Sequence, residues 1–286
     1  MIDRDSPLAA RVDDERETPR VPQLAPHELI RLKMAASGLD HASIAAGAEL
    51  DAETRGRFAA LVERRLAGEP LQYLESTVQF GPIEVAVDRR ALIPRPETEI
   101  LWDDAVRSLG DAGPGTVIVD LCTGTGVLAL ALKHAFPRAQ VYATDVDTEA
   151  LALAAENADR LGLDVTFVDG DLFDALPGGL KGRVDLLVAN PPYVSDSEWP
   201  TLEPQITDYE PRLALVAGPH GTEVIARIAD EAYWWLGIGG WLFCEIGATQ
   251  GSAADELFGA LDREIRADLA GRDRYVAARK GAGCCI

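Results

Sequence analysis

A chain of 286 residues with 47% apolar side chains is long enough for one large core and a smaller accessory unit. Its 47 acidic against 27 basic side chains leave a net charge of −20, which disfavours non-specific attraction to nucleic-acid phosphates. The cysteines Cys122, Cys244, Cys284 and Cys285 show no paired ligand spacing, and His27, His41, His134 and His220 are scattered, so neither set suggests a metal site; with no signal peptide or spanning segment in view, a reducing cytoplasm is expected.

In chain order, residues 1–24 are crowded with charge and lack apolar periodicity, which predicts a disordered or loosely held extension. Pro26 suits a first helical position, and Leu29, Leu32 and Met34 continue that helix. A clearer helix over residues 52–67 places Phe58, Leu61, Val62 and Leu66 on one stripe, with Gly68 as its stop. Together these give an N-terminal helical domain over residues 25–75, either a contact for a protein substrate or simply a stabilising cap. Residues 76–99 read as a linking β-hairpin, from the alternation of Ile83, Val85 and Val87 around Gly81-Pro82. Strands and helices alternate over residues 100–286, which indicates a mostly parallel sheet covered on both faces.

Two turns in that region carry chemistry. Val117-Ile118-Val119-Asp120 reads as a strand, Leu121-Cys122-Thr123-Gly124-Thr125-Gly126 as a sharp turn, and Val127 opens an apolar helix. Glycines there let backbone approach a ligand, and the free N–H groups of a helix start favour polar or anionic groups. The next strand ends at Asp145, about 20 residues past the glycines, where a carboxylate can accept bonds from ribose hydroxyls. The glycines alone do not separate NAD from other adenosine cofactors. A third acidic turn, Asp169-Gly170-Asp171-Leu172-Phe173, either flanks an adenine or caps a helix, and Phe173 is equally readable as core.

Asn190-Pro191-Pro192-Tyr193 follows the apolar run 184–189. Each proline lacks an N–H and has a fixed φ, so the turn is stiff and rich in acceptors. Acceptors without competing donors suit an NH₂ group. If the Asn190 oxygen and the Pro191 carbonyl each take one N–H of a planar amide or amine, its lone pair faces outward, and Tyr193 can cover the plane. Downstream, residues 194–216, with Trp199, Tyr209 and Pro211, form a long insertion expected to be a lid or substrate wall. A helix after Gly221 runs through Trp234 and Trp235, read as packing residues, to a strand over 241–246. Segments 265–269 and 275–278 read as a closing antiparallel hairpin.

With both turns in view, the chain resembles the HemK-type protein glutamine N5-methyltransferases. The matching stretches are Gly68-Glu69-Pro70-Leu71-Gln72-Tyr73, Leu92-Ile93-Pro94-Arg95-Pro96-Glu97-Thr98-Glu99, the 120–126 loop, Asn190 to Tyr193, Tyr209-Glu210-Pro211, Glu245-Ile246-Gly247 with Gln250-Gly251, and the run from Asp268 to Arg274. The resemblance implies a Rossmann-like class I methyltransferase sheet with an antiparallel last strand, and S-adenosylmethionine as methyl donor. It also implies that Cys122, Thr123, Gly124, Thr125 and Gly126 line the methionine end, Asp145 binds ribose, Phe173 lies beside the adenine, and Asn190 touches cofactor and substrate. Asn190, Pro191 and Tyr193 become the catalytic group, and with Pro192 they form the glutamine pocket. The implied acceptor is the Gly-Gly-Gln loop of a peptide chain release factor.

Two positions depart from the family pattern. Cys122 stands where release-factor enzymes usually have Gly, which is closer to the branch acting on a ribosomal large-subunit protein; the longer match at Arg95 to Glu99 favours the release-factor branch. In Tyr73-Leu74-Glu75-Ser76, the family's Gly two positions beyond the tyrosine is missing, so any turn there must tolerate side chains. Adenine-N6 methylation remains an alternative because a flipped adenine also offers a planar NH₂, although the acidic charge opposes it. An NAD-dependent oxidoreductase and a non-catalytic binding module are the other readings.

Overall fold

The computed structural model describes residues 24–282, so all of the expected N-terminal extension except Leu24 lies outside the described residues, as do Cys284 and Cys285. The described chain opens with helices α1 (Pro26–Ser37), α2 (His41–Ala45), α3 (Ala52–Leu66) and α4 (Leu71–Glu75). Pro26 lies in the first turn of α1, where the Glu28 carboxylate accepts the Ala25 N–H at 2.9 Å. Asp40 and Asp51 cap α2 and α3 through their side chains. Leu32, Leu71 and Leu74 form the small core here, with Phe58, Leu61 and Val62 packed against it. Leu66 does not join that stripe: it ends α3 beyond this cluster and is 40% exposed. The turn after α4 is taken by Ser76 at φ 64, a left-handed position occupied by a side chain.

Strands β1 (Thr77–Phe80) and β2 (Ile83–Ala86) pair antiparallel as the expected hairpin, turning Ile83, Val85 and Val87 into the core. Then come α5 (Pro96–Leu109), β3 (Val117–Leu121), α6 (Val127–Ala135), β4 (Gln140–Asp145), α7 (Thr148–Leu161), β5 (Thr166–Asp169) and β6 (Val184–Ala189). The chain continues through β7 (Val194–Ser195), α8 (Pro204–Thr207), β8 (Val216–Gly218), α9 (Glu223–Trp235), β9 (Leu236–Glu245), α10 (Gly251–Leu257), β10 (Asp262–Ala267) and β11 (Asp273–Arg279).

The main sheet has seven strands in the order β10-β11-β9-β6-β3-β4-β5, and β11 runs antiparallel to both of its neighbours. The remaining pairings in the sheet are parallel. Successive residues of the central strands feed opposite faces. Ile118 and Leu186 pack with Leu101 and Leu130 of α5 and α6, while Val119 and Leu187 pack with Ile225, Ile228 and Phe258 on the other side. Burial on both faces explains why these strands are continuous apolar runs. The edge strand β10 carries Asp262, Arg263, Glu264 and Arg266, charges that discourage pairing with another chain.

Two boundaries and one side chain differ from the sequence reading. β9 begins at Leu236, well before Trp241, because it continues directly from α9. Trp235 is buried as packing, but its neighbour Trp234 is 56% exposed. The last hairpin stops at Ala267, since the Asp268 carboxylate accepts the N–H groups of Ala270 and Arg272 and folds the chain into a turn that leaves Leu269 in solvent.

Candidate active site

The chain enters the main sheet at β3, builds outward through β4 and β5, and returns to β6 on the other side of β3. At such a reversal the carboxyl ends of the strands leave a crevice for ligands. The register sets Leu121 beside both Thr144 and Ala189, so the glycine loop, Asp145 and Asn190 emerge at one edge.

The loop is built by backbone conformation. Cys122, Gly124 and Gly126 have φ of 58°, 55° and 80°. A Cβ on Gly126 would stand 3.0 Å from the Ala154 Cβ, so its absence lets the start of α6 lie against α7. Two carboxylates, the buried Asp120 and the half-buried Asp145, tie the loop down. Asp120 Oδ2 accepts the Thr123 hydroxyl at 2.5 Å and the Ala129 N–H at 3.1 Å. Asp145 accepts the Gly124 N–H at 2.8 Å and the Asp147 N–H at 3.0 Å. Burial pushes the Asp120 carboxyl up to about 7, against its hydrogen bonds, and raises Asp145 in the same sense. It also lifts the Cys122 thiol well above its ordinary value, which keeps it neutral and a poor nucleophile.

A cavity of about 310 Å³ opens above this edge, lined by Cys122, Thr123, Gly124, Thr125, Asp145, Asn190 and Pro192. The expected insertion supplies a wall through Leu213, Ala214 and Val216. That wall is pinned. Leu215 O accepts the N–H groups of Tyr193 and Val194, buried Glu210 pairs with Arg95 at 2.5 Å, and the Tyr209 hydroxyl donates to Ala67 O at 3.2 Å.

Four of the expected residues do not line the cavity. Gly126 shapes the loop from behind. Phe173 is a correction: its ring is buried and stacks on Trp235 at 5.5 Å and 18°, and Leu172, left-handed at φ 48°, takes the place on the cavity wall. Pro191 and Tyr193 also lie off the lining. Asp171 lines the cavity while paired to Arg227 at 2.8 Å, whereas Asp169 is exposed away from it.

The Asn190 corner is held by side chains that sequence reasoning did not single out. Asn190 Nδ2 donates to Thr98 Oγ1 at 3.2 Å, and the Thr98 hydroxyl donates to Glu245 Oε2 at 2.7 Å. The Tyr193 hydroxyl donates to the other oxygen, Glu245 Oε1, at 3.1 Å. Burial raises the Glu245 carboxyl, opposed by these two hydrogen bonds and the Arg274 charge. Thr98 and Glu245 were visible only as members of family-like stretches; no local spacing connects them to Asn190.

Known proteins resemble this chain over most of its length. Residues 25–74 match the model of the PrmC N-terminal domain, and residues 105–205 match that of the Methyltransferase small domain. A release factor glutamine methyltransferase of Deinococcus radiodurans is 41% identical over 239 residues, covering 83% of this chain and 84% of that protein. The chain belongs to the release factor glutamine methyltransferase family. A further member, from Mycolicibacterium smegmatis, is 39% identical over 271 residues, covering 92% of this chain and 91% of its own. The solved methyltransferase of Pyrococcus furiosus shares the fold at a TM-score of 0.52 and 17% identity, over 79% of this chain and 98% of that one.

Membership in this family makes the protein a methyltransferase that uses S-adenosylmethionine, and the oxidoreductase and non-catalytic readings fall away. The residues present suit that cosubstrate. A backbone loop with room at Gly124, where an added Cβ would meet only Ala91 at 4.0 Å, faces the half-buried acidic side chain of Asp145 at the end of β4 and an apolar wall. No described helix is long and apolar enough to cross a membrane.

Proposed function

We propose that this protein transfers a methyl group from S-adenosylmethionine to the side-chain nitrogen N5 of a glutamine in the Gly-Gly-Gln motif of a peptide chain release factor, acting in the cytoplasm on translation termination. The observation that carries this reading is that Asn190 lines the same cavity as the glycine loop and Asp145. Family membership and the net charge of −20 support a protein acceptor over nucleic acid.

The roles divide along the cavity. Cys122, Thr123, Gly124 and Thr125, shaped by Gly126, hold the methionine end, with Asp145 on the ribose and Leu172 on the adenine side in place of Phe173. Asn190 and Pro192 take the glutamine from the cavity wall, and Pro191 and Tyr193 complete the pocket from behind it. The helical unit over 25–75 and the hairpin segment over 76–99 extend the acceptor surface beside the methyltransferase unit over 100–286, a division supported by the match at 25–74.

When bound, S-adenosylmethionine supplies an electrophilic methyl group. An amide nitrogen is a poor nucleophile because its lone pair is delocalised into the carbonyl. Asn190 Oδ1 and the Pro191 carbonyl accept its two N–H bonds, which orients the nitrogen and stabilises the positive charge it gains. The N-methylated, still protonated amide is acidic enough to lose its proton to water. Glu245 is occupied by Thr98 and Tyr193, and Asp145 by two backbone N–H groups, so neither is assigned as a general base.

A tritiated-methyl assay offering unmethylated release factor, a ribosomal large-subunit protein and DNA tests the proposal. Label is expected in the release factor alone, on the glutamine of Gly-Gly-Gln by mass spectrometry. Label in the ribosomal protein or DNA instead would overturn it.

A further inference from the structure

We infer that Thr98 and Glu245 are positioning residues that fix the polarity of the Asn190 amide, so that its oxygen rather than its NH₂ faces the acceptor glutamine. This rests on the proposed function and deepens it. An asparagine side chain is nearly symmetric in shape but not in chemistry: turned over, it would oppose a substrate N–H with another N–H. An acceptor asparagine therefore needs something that refuses one of its two orientations.

The structure supplies a one-way chain for that purpose. Glu245 acts here as the ionised carboxylate, which the Thr98 and Tyr193 hydroxyls and the Arg274 charge favour against its burial, and in that form it only accepts hydrogen bonds. Glu245 Oε2 therefore takes the single hydroxyl hydrogen of Thr98, at 2.7 Å. With that hydrogen engaged, Thr98 Oγ1 offers only lone pairs, and the group it meets at 3.2 Å must be a donor, the Nδ2 of Asn190. The Asn190 oxygen is left for the substrate. Thr98 and Glu245 are 2% and 1% exposed, so water does not compete for these bonds.

Glu245 also accepts from Tyr193, so one carboxylate sets both the acceptor and the aromatic side of the pocket. Thr98 is placed by the first turn of α5, after Pro96, while Glu245 ends β9. Glu245 lies off the cavity lining and reaches the reacting atoms through Thr98, Asn190 and Tyr193; Thr98 borders the cavity beside Asn190, but its one hydroxyl hydrogen is turned away from it, onto Glu245.

The test compares Thr98→Val, which keeps the shape but removes the hydroxyl, with Thr98→Ser, which keeps the hydroxyl, each in the wild-type and Asn190→Ala backgrounds. Single-turnover methylation of unmethylated release factor is measured beside calorimetric affinity for S-adenosylmethionine. Thr98→Val is expected to lower the rate about 10- to 100-fold, with cofactor affinity held within about twofold, and Thr98→Ser to restore it. In the Asn190→Ala background, Thr98→Val should add no further loss, because the group it orients is gone. Should Thr98→Val fail to bind the cofactor, Thr98→Ala, which adds no volume, takes its place.

An equal loss in both backgrounds would mean that Thr98 acts independently of Asn190, through structure or by touching substrate from the cavity wall, and would overturn the inference, as would an unchanged rate in Thr98→Val. If Asn190→Ala itself retains full turnover, the proposed function fails and this inference with it. A defective Asn190→Ala beside a normal Thr98→Val defeats the inference alone.

Discussion

The glycine-loop half of the cavity and the Asn190 half are built by opposite means. The loop takes its shape from left-handed backbone at Cys122, Gly124 and Gly126 and is tied by two carboxylates over short stretches of chain, with separations of 3, 9 and 21 residues for Thr123–Asp120, Ala129–Asp120 and Gly124–Asp145. The Asn190 corner is a side-chain object drawn from three distant places, with separations of 92, 147 and 52 residues for Asn190–Thr98, Thr98–Glu245 and Tyr193–Glu245. A backbone site cannot change shape without disturbing the fold. A side-chain site can lose its chemistry while the fold stays intact. Stability and cofactor affinity should therefore fall together in the loop, and separate from turnover in the corner.

The largest expected effect is in the corner. Asn190→Ala removes one acceptor from a half-buried position and should cost about 10²- to 10³-fold in turnover, equivalent to about 2.7–4 kcal/mol. Calorimetry should show S-adenosylmethionine affinity nearly unchanged, and melting should be close to wild type. A matching fall in affinity would show that the two halves are not separable at this residue.

Gly126→Ala puts the same question to the loop. The new Cβ meets Ala154 at 3.0 Å at a φ of +80°, so α7 must give or the turn must unwind. Left-handed strain and overpacking together should cost about 2–4 kcal/mol, lowering the melting temperature and weakening cofactor binding in one step. Normal melting with weakened binding would contradict the view that the loop's shape and the fold's stability are one property.

The same division decides what could be read from the sequence. The parallel sheet, the hairpin at Gly81-Pro82 and the glycine loop were legible because each rests on local periodicity or on residues with special backbone freedom. Asn190 was legible from the stiffness of the prolines that follow it. Thr98 and Glu245 were not, since nothing in a run of residues says which threonine a β-sheet will carry to which carboxylate. Phe173 was misplaced for a related reason. The left-handed φ of Leu172 swaps which of two adjacent apolar residues faces the cavity, and no periodicity signals that swap. Leu66 shows the limit of helical spacing: its position on the stripe was regular, but the partner cluster ended before it.

A smaller effect comes from the buried carboxylate beneath the loop. Asp120 is fully buried and pushed up to about 7 from its ordinary value of 3.8, so between those values the folded chain holds a proton that the unfolded chain has released. Its contribution to stability is present below about 4 and is lost as pH rises through about 7. Wild type should therefore lose more melting temperature between about pH 5 and about pH 8 than Asp120→Asn does, by a few degrees. Parallel melting curves for the two proteins would show that Asp120 does not retain its proton on folding, and the loop's anchor would then be an ionised carboxylate.

The smallest expected effect separates backbone from side chain at a single position. Cys122 lines the cavity yet sits at φ 58°, a conformation that costs a residue with a Cβ about 1–2 kcal/mol. Cys122→Ala keeps that strain and discards the thiol; Cys122→Gly discards both but gives the unfolded chain more freedom, worth about 0.5–1 kcal/mol. The glycine variant should therefore be the more stable of the two by up to about 1 kcal/mol, roughly 2 °C or slightly more in melting temperature. Turnover should be the same in both, because the thiol is neutral and the loop acts through its backbone. If both variants lose turnover equally while the glycine variant gains stability, the thiol itself contacts the substrate or cosubstrate, and this one position of the loop would belong with the side-chain half of the site.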